Sequence, residues 1–559
     1  MEDPVLSLPV GQQSVGPIEV YPKQARAWLD SLPIANSIET AHRIYQSLVA
    51  LNRNKLAMQD RLELMELYRG PVIAACAGLQ IHFSKLALPL TPKKRQLADF
   101  LRQLYIEMAY GYKHVIQDYI NSRHLRSKKE LISLAIERAI RCLGEVLLRS
   151  YQVYMPCPVG VWKEIHMLYA YAERNGRQHM PVTADGDKES NIAKQYQRVL
   201  LLGVCGPYQL PPNECHQVNA FLDIWADKAV ISDQIEVPSW VGQFLIDLSA
   251  DSPPLALPRD IKLQSAPHLR ILNAIGLAST VHAFVNRLQK GESMKTLELG
   301  TEYIGSACLD MLRRMIRFWG LKMRRQYSRT KKQGGLSICV GINALHFFNS
   351  GQKPFALSAP TTVEAVDAMD MDDPPADKTD VDLDAIGQKM PFKMEFSANT
   401  QELFRIDQWQ IKDESAGGLL LERSKESGGI YVRVGDLLGI QDKASEQWRI
   451  GLVRWLKNPE ASTVEMGVEM LAPWAEPVAV KTSAPAYQTG QFMPALLLPA
   501  IAFLRRPATL LTAWGTYQPG SDIYLTQKET ETRLVHLAKL LERTGSFEHI
   551  VFTETNAPA

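Results

Sequence analysis

The sequence predicts an α+β multidomain protein: an N-terminal all-α region, a helical bundle or irregular solenoid, then an antiparallel β-barrel and a further small β-rich segment. Three observations lead there. Apolar residues recur at helical spacing through the first 300 of the 559 residues. From about Gln408 to Leu471 they alternate in short runs separated by Gly, Ser, Asn and Pro, the pattern of half-buried strands. Between these regions the charge swings from strongly basic to strongly acidic, which marks a boundary.

Taken in order, Asn36 followed by Glu39 opens the run TAHRIYQSLVALN as an N-cap with a capping-box acid, and Ile44, Leu48 and Leu51 repeat at helical spacing. Thr91-Pro92 starts a second helix, which lines up Leu97, Phe100, Leu101 and Leu104 and runs on towards Tyr119. A third starts near Ser127 and turns Leu131, Leu134, Ala135 and Ala139 inward. A fourth starts near Pro158 and closes at Gly176 in a C-cap position; His166, Tyr169 and Tyr171 read as its packed face. Further helical segments are expected near 190–204, 211–230 and 267–289, interrupted by a β-like start and a Pro-Pro turn in FLIDLSADSPPLAL from Phe244. No strict repeat period is present.

After residue 300 comes a linking helix, then a run over 311–332 with nine basic residues and no acid, then an expected strand, GLSICVGINALHFF. Residues 361–387 carry nine acids against one lysine and few large apolar residues, the composition of a disordered loop. The expected domains are therefore 1–300, helical and suited to protein interaction; 301–348, linking helix, arginine motif and first barrel strand; 349–404, an acidic, largely disordered insertion; 405–475, the rest of the barrel; and 476–559, β-rich, as a separate domain or an extension of the barrel. A closing amphipathic helix is expected over Arg533–Arg543.

Composition excludes several classes. Hydrophobic residues make up 46% and charged residues 22%, ordinary for a globular chain, and the net charge of +2 offers no global field for a nucleic-acid polymer. Seven scattered cysteines without a Cys-x-x-Cys pair argue against a disulfide framework or a zinc site and for a reducing, cytoplasmic setting. No segment reads as a signal peptide or a membrane span. No Gly-rich phosphate loop, nucleophile elbow, catalytic residue or cofactor motif appears, so a non-enzymatic protein is expected.

Two short motifs carry chemistry. Arg325-Gln-Tyr-Ser-Arg329, preceded by Arg324, stands at the entry to a strand; Asp413-Glu-Ser415-Ala-Gly417-Gly418 stands between two strands. A guanidinium fork matches the O6 and N7 acceptors of guanine, and it can also clamp a phosphate or stack on a base. A carboxylate such as Asp413 can accept from guanine's N1–H and amino group, and Ser415 can donate or accept without filling the site. Gly417 and Gly418 allow a sharp turn and close approach to a flat ligand. Either motif alone is weak, since basic runs are usually solvated and Asp-x-Ser-x-x-Gly is an everyday turn.

In this order the motifs resemble the two signatures of PilZ domains, whose family ligand is cyclic di-GMP. DESAGGLLLE, VRVGDLLGI, GLVRWL and MGVEML continue the family's succession of a serine–glycine turn, a Val-Gly-Asp strand, a strand with an Arg-Trp pair and a closing Gly-Val-Glu strand. The resemblance covers residues 320–348 and 405–472. It implies that Arg324, Arg325 and Arg329 grip phosphate and guanine while Asp413, Ser415, Gly417 and Gly418 contact a base. One departure is the acidic stretch between motifs that the family holds close together. The implied function is a cyclic di-GMP receptor that couples nucleotide binding to an unidentified protein partner on the helical region. The alternative is a ligand-independent, PilZ-like adaptor that docks partner proteins.

Overall fold

Three of the described helices start at an N-cap whose side chain satisfies one of the first unpaired backbone N–H groups. In the computed structural model, Asn36 Oδ1 accepts from Glu39 N at 3.0 Å at the start of the helix Ser37–Arg53, and Thr91 Oγ1 accepts from Lys94 N at 3.3 Å at the start of the helix Pro92–Asn121. The structure describes residues 6–9, 21–33, 35–83, 86–122, 128–183, 189–234, 241–257, 266–292, 305–320, 328–355, 404–424, 429–443, 445–482, 492–500, 506–527 and 531–555. They divide into two units: residues 1–328 with 455–465, and residues 329–454 with 466–559.

The first unit contains α1 (Pro22–Asp30), α2 (Ser37–Arg53), α3 (Met58–Leu79), α4 (Pro92–Asn121), α5 (Lys129–Gln152), α6 (Val161–Arg174), α7 (Ile192–Val204) and α8 (Glu214–Trp225). A two-stranded ribbon, β1 (Val182–Thr183) and β2 (Glu189–Ser190), sits between α6 and α7. Gly176, at φ +62°, closes α6 as its sequence position predicts. Helix α5 departs from a one-faced pattern: Leu131 and Leu134 are only half-buried, while nearly every residue from Ala135 to Gln152 is buried. It is a central helix that neighbours cover on all sides.

β3 (Val230–Ser232), β4 (Gln243–Asp247), β5 (Leu255–Ala256) and β6 (Leu269–Asn273) form an antiparallel sheet in the order β3-β6-β4-β5. The helix expected over 267–289 is corrected here. Its first part is β6, and α9 (Ile275–Gln289) begins only where Asn273 Oδ1 accepts from Ile275 N at 3.0 Å. In LRILN, Ile271 and Leu272 pair with both β3 and β4, so sheet pairing overrides the apolar pattern shared with the following helix. Helix α10 (Gly305–Gly320) ends the linear part of the unit and buries Trp319, whose Nε1 donates to Leu201 O at 3.1 Å. Among the described residues, no helix is long and apolar enough to cross a membrane.

The second unit opens with β7 (Thr330–Lys331), β8 (Gly335–Val340) and α11 (Ile342–Asn349). The strand expected across GLSICVGINALHFF thus stops at Val340: Gly341, at φ +92°, turns the chain, and Ile342–Asn349 coil. A short run apolar on every side fits a buried helix as well as a buried strand, and periodicity cannot separate them. The expected disordered insertion falls mostly on residues 356–403, which lie outside the described residues.

Strands β9 (Asp407–Ser415), β10 (Gly418–Ser424), β11 (Leu437–Asp442), β12 (Arg449–Glu460) and β13 (Thr463–Ala472) join β8 in the order β10-β13-β12-β11-β8-β9. Pairing of β9 with β10 closes this ring of six strands, and β7 pairs with the far end of β9 along the edge that β8 takes at its start. A second closed barrel follows, β14-β15-β16-β19-β18-β17, built from β14 (Glu476–Thr482), β15 (Met493–Leu498), β16 (Thr509–Thr512), β17 (Asp522–Gln527), β18 (Glu531–Arg543) and β19 (Glu548–Glu554). The expected closing helix over Arg533–Arg543 is strand β18. Two register shifts against β19, at Leu537/Lys539 and Leu540/Glu542, insert extra residues. Inward Val535, Leu537 and Leu540 are therefore spaced by two and then three, which imitates helical spacing.

Candidate functional site

The Asp-x-Ser-x-x-Gly motif forms the β9–β10 hairpin, with Gly418 paired to Ser415 and Leu420 to Asp413. Leu421 then pairs with Ile411, so Lys412 is an extra residue. Such a bulge bends and re-aims a strand, here immediately before Asp413. Ser415 Oγ donates to Gly418 O at 3.2 Å and ties the turn. Met470 N donates to Gly417 O at 3.0 Å, docking the turn on β13. At Gly418 a Cβ would lie 2.4 Å from Val468 O, so only glycine lets the two backbones come this close.

The arginine motif reaches this turn through β7. Thr330 pairs with Glu414 and Lys331 with Asp413, which places Arg329 beside the hairpin. Its Nη1 donates to Asp413 Oδ2 at 3.1 Å, across 84 positions of sequence. The Arg329 side chain is 42% exposed and that of Asp413 19%, so the pair stands at the surface with the guanidinium open to solvent. Arg324 and Arg325 lie outside the described residues. The structure thus brings together Arg329, Asp413, Ser415, Gly417 and Gly418.

Two cations that motif reading passes over flank the same turn. Lys332 Nζ donates to Glu414 Oε2 at 2.6 Å, and Arg449 pairs with Asp442 at 3.0 Å and lies 3.9 Å from Glu414. Lys332 belongs to the basic run, but nothing in its spacing distinguishes it from Lys331; Arg449 comes from a strand far along the chain. Beneath the hairpin, Arg423 pairs with Asp407 at 3.0 Å, both almost fully buried, with its guanidinium 6.0 Å from the centre of the Trp409 ring. The site therefore joins exposed, exchangeable charges to a rigid, desolvated support.

Arg454, from the Arg-Trp pair, donates to Glu469 on β13 and to Glu542 on β18, and so ties strands of both barrels. His166 is a packed residue: its Nδ1 lies 2.7 Å from the Tyr196 hydroxyl and its Nε2 2.9 Å from Ser252 O. Among the described residues, no group of histidine, cysteine and acidic side chains is placed to hold a metal ion.

Comparison with known proteins matches almost the whole chain in three consecutive pieces. Residues 23–236 match the N-terminal domain of the cyclic-di-GMP receptor FimW, 243–477 its middle PilZ domain, and 478–555 its C-terminal β-barrel domain. The cyclic-di-GMP receptor FimW of Pseudomonas aeruginosa is 30% identical over 592 aligned residues, covering 99% of this chain and 94% of the relative. The chain belongs to the FimW family. The ring β8–β13 is its PilZ barrel, as the two motifs imply, and the last six strands are the FimW C-terminal barrel. The FimW middle-domain match begins at residue 243, so it also takes in β4, β5, β6, α9 and α10. No solved structure matches the chain.

Proposed function

We propose that this protein is a non-enzymatic cyclic di-GMP receptor whose ligand binds at the β9–β10 turn of the PilZ barrel. Arg324, Arg325 and Arg329 take phosphate and the O6/N7 edge of guanine, and Asp413, Ser415, Gly417 and Gly418 take a base. The observation that carries this is the Arg329–Asp413 contact, which joins the two signature motifs at one surface despite their separation in sequence. Arg329 and Asp413 now satisfy each other. Guanine presents acceptors to a guanidinium on one edge and donors to a carboxylate on another, so a single base can replace both halves of that exposed pair. Membership of the FimW family supports the same ligand, because the relative is named as a cyclic-di-GMP receptor. The helical unit serves to dock a protein partner, and buried free cysteines such as Cys76 and Cys142 suit work in the reducing cytoplasm.

Titration calorimetry of the full chain with cyclic di-GMP tests this. The wild type binds, and Arg325→Ala/Arg329→Ala and Asp413→Ala each weaken binding by about tenfold or more, the effect of losing one good base contact. Unchanged affinity in both variants removes the site assignment. No binding by the wild type, together with stable capture of a protein partner, favours the ligand-independent adaptor.

A further inference from the structure

In the helical unit, the central helix α5 keeps a charged face although it is buried. Arg138, Arg141, Glu145 and Arg149 lie three to four residues apart along it and line a cavity of about 520 Å³. Helices α3, α4, α7 and α8 complete the wall. Exposed Ile73 and Ala77 of α3 stand at its mouth, and Val72, Met108 and Ile224 give it an apolar side.

The charges around this cavity form one alternating chain. Glu66 stands between Arg69 at 3.5 Å and Arg138 at 3.1 Å. Glu137 stands between Arg138 at 2.8 Å and Arg141 at 3.0 Å. Asp223 joins Arg141 at 3.1 Å to Arg198 at 2.9 Å, and Glu145 joins Arg198 at 3.4 Å to Arg149 at 3.0 Å. Five guanidinium groups thus alternate with four carboxylates, an arginine stands at each end, and one positive charge is left over. The side chains of Arg138, Arg149 and Arg198 are only 2%, 7% and 8% exposed. Desolvating so many charges costs several kcal/mol per ion before pairing returns it, and an apolar core of the same volume would be at least as stable. Among the described residues, the buried amide nitrogen of Gln80, also on the wall, has no acceptor.

We propose that this cavity binds a small organic anion: a carboxylate or phosphate monoester on a compact apolar body. The surplus charge selects an oxyanion, arginine forks suit its bidentate geometry, and the volume falls in the range of small-molecule sites. The apolar wall receives the body of the ligand. The site lies wholly within the helical unit and does not depend on the nucleotide reading of the PilZ barrel.

Calorimetry and thermal melting of the full chain with phenyl phosphate and benzoate test this, with phenol and benzyl alcohol as uncharged counterparts and inorganic phosphate as the anion without a body. At least one organic anion should bind saturably and raise the melting temperature, its uncharged counterpart should not, and inorganic phosphate should bind about tenfold more weakly or worse. Ala77→Trp at the exposed mouth and Arg141→Gln on the wall should each weaken that binding by about tenfold or more. The ligand-free circular dichroism spectrum and melting curve of Ala77→Trp should match the wild type and so report an intact fold. Lack of saturable binding by both organic anions, equal binding by an uncharged counterpart, or affinity that both variants leave unchanged overturns the proposal. Cyclic di-GMP, titrated separately, reports on the barrel alone.

Discussion

Asp407 and Arg423 face each other inside the PilZ barrel with side chains only 4% and 2% exposed, so neither charge has water to fall back on. Removing the carboxylate leaves the buried Arg423 charge without its counter-charge, and Asp407→Ala should cost about 3–5 kcal/mol in urea denaturation followed by tryptophan fluorescence. Gly418 is a steric constraint of another kind. A methyl group there meets a backbone oxygen that has no rotamer to escape into, so Gly418→Ala should cost about 1–3 kcal/mol in the same assay. It should also weaken nucleotide binding, because the turn holding Ser415 must shift. His114 on α4 provides a pH signature. Burial, reinforced by the Arg61 charge, lowers its pKa from 6.5 to about 4. The unfolded chain therefore takes up the proton first on acidification. Its contribution to stability is complete above pH 6.5 and is lost as pH falls towards 4. Melting temperatures across that range should drop less steeply for His114→Gln than for the wild type.

At the scale of elements, the starts of α2 and α4 are legible because a cap is a local event. The Asn36 and Thr91 N-caps involve residues three apart and form as their sequence signatures predict. The capping-box half does not form: Asn36 N donates to Pro33 O, and Glu39 takes only the Asn36 side-chain amide, at 3.4 Å. Asn36→Ala should lower stability by about 1 kcal/mol, measured by thermal denaturation of the full chain. Elements were misread where neighbours distant in sequence decide. β18 looks helical because its bulges set inward Val535, Leu537 and Leu540 at uneven spacing, and a bulge exists only opposite a partner strand. β6 looks like the first turns of α9 until β3 and β4 pair with it. α11 looks like a continuation of β8 because its apolar residues face a core on more than one side. In each case the local apolar pattern fits two structures, and tertiary partners choose between them.

At the scale of the whole molecule, the second unit holds two closed barrels that do not have wholly separate cores. One cluster contains Leu345 of α11, Leu437 and Ile450 of the PilZ barrel, and Leu496, Leu511 and Phe547 of the C-terminal barrel. Trp448 sits within it, stacked on Phe348 at 5.0 Å between ring centres. The two rings should therefore unfold together. Trp448→Ala should cost about 3–5 kcal/mol and, in native-state hydrogen exchange, lower protection in β15 and β16 as well as in β11 and β12. An effect confined to β11 and β12 would mean that the barrels unfold independently.

The α+β class, the order of helical region and barrel, the PilZ character of the barrel and the chemistry of its two motifs are all legible in the chain before it folds. The class and the order of the regions rest on local periodicity and caps, whereas the PilZ character rests on the resemblance of two short motifs and the strand patterns after them to a known family. That β7 carries Arg329 to Asp413 emerges only on folding, because the contact bridges segments 84 positions apart. The same holds for the closure of the last six strands into a second barrel and for the arginine–carboxylate chain around α5. Each joins residues whose spacing in sequence is arbitrary, so no periodicity records it; it appears only when packing brings the segments together.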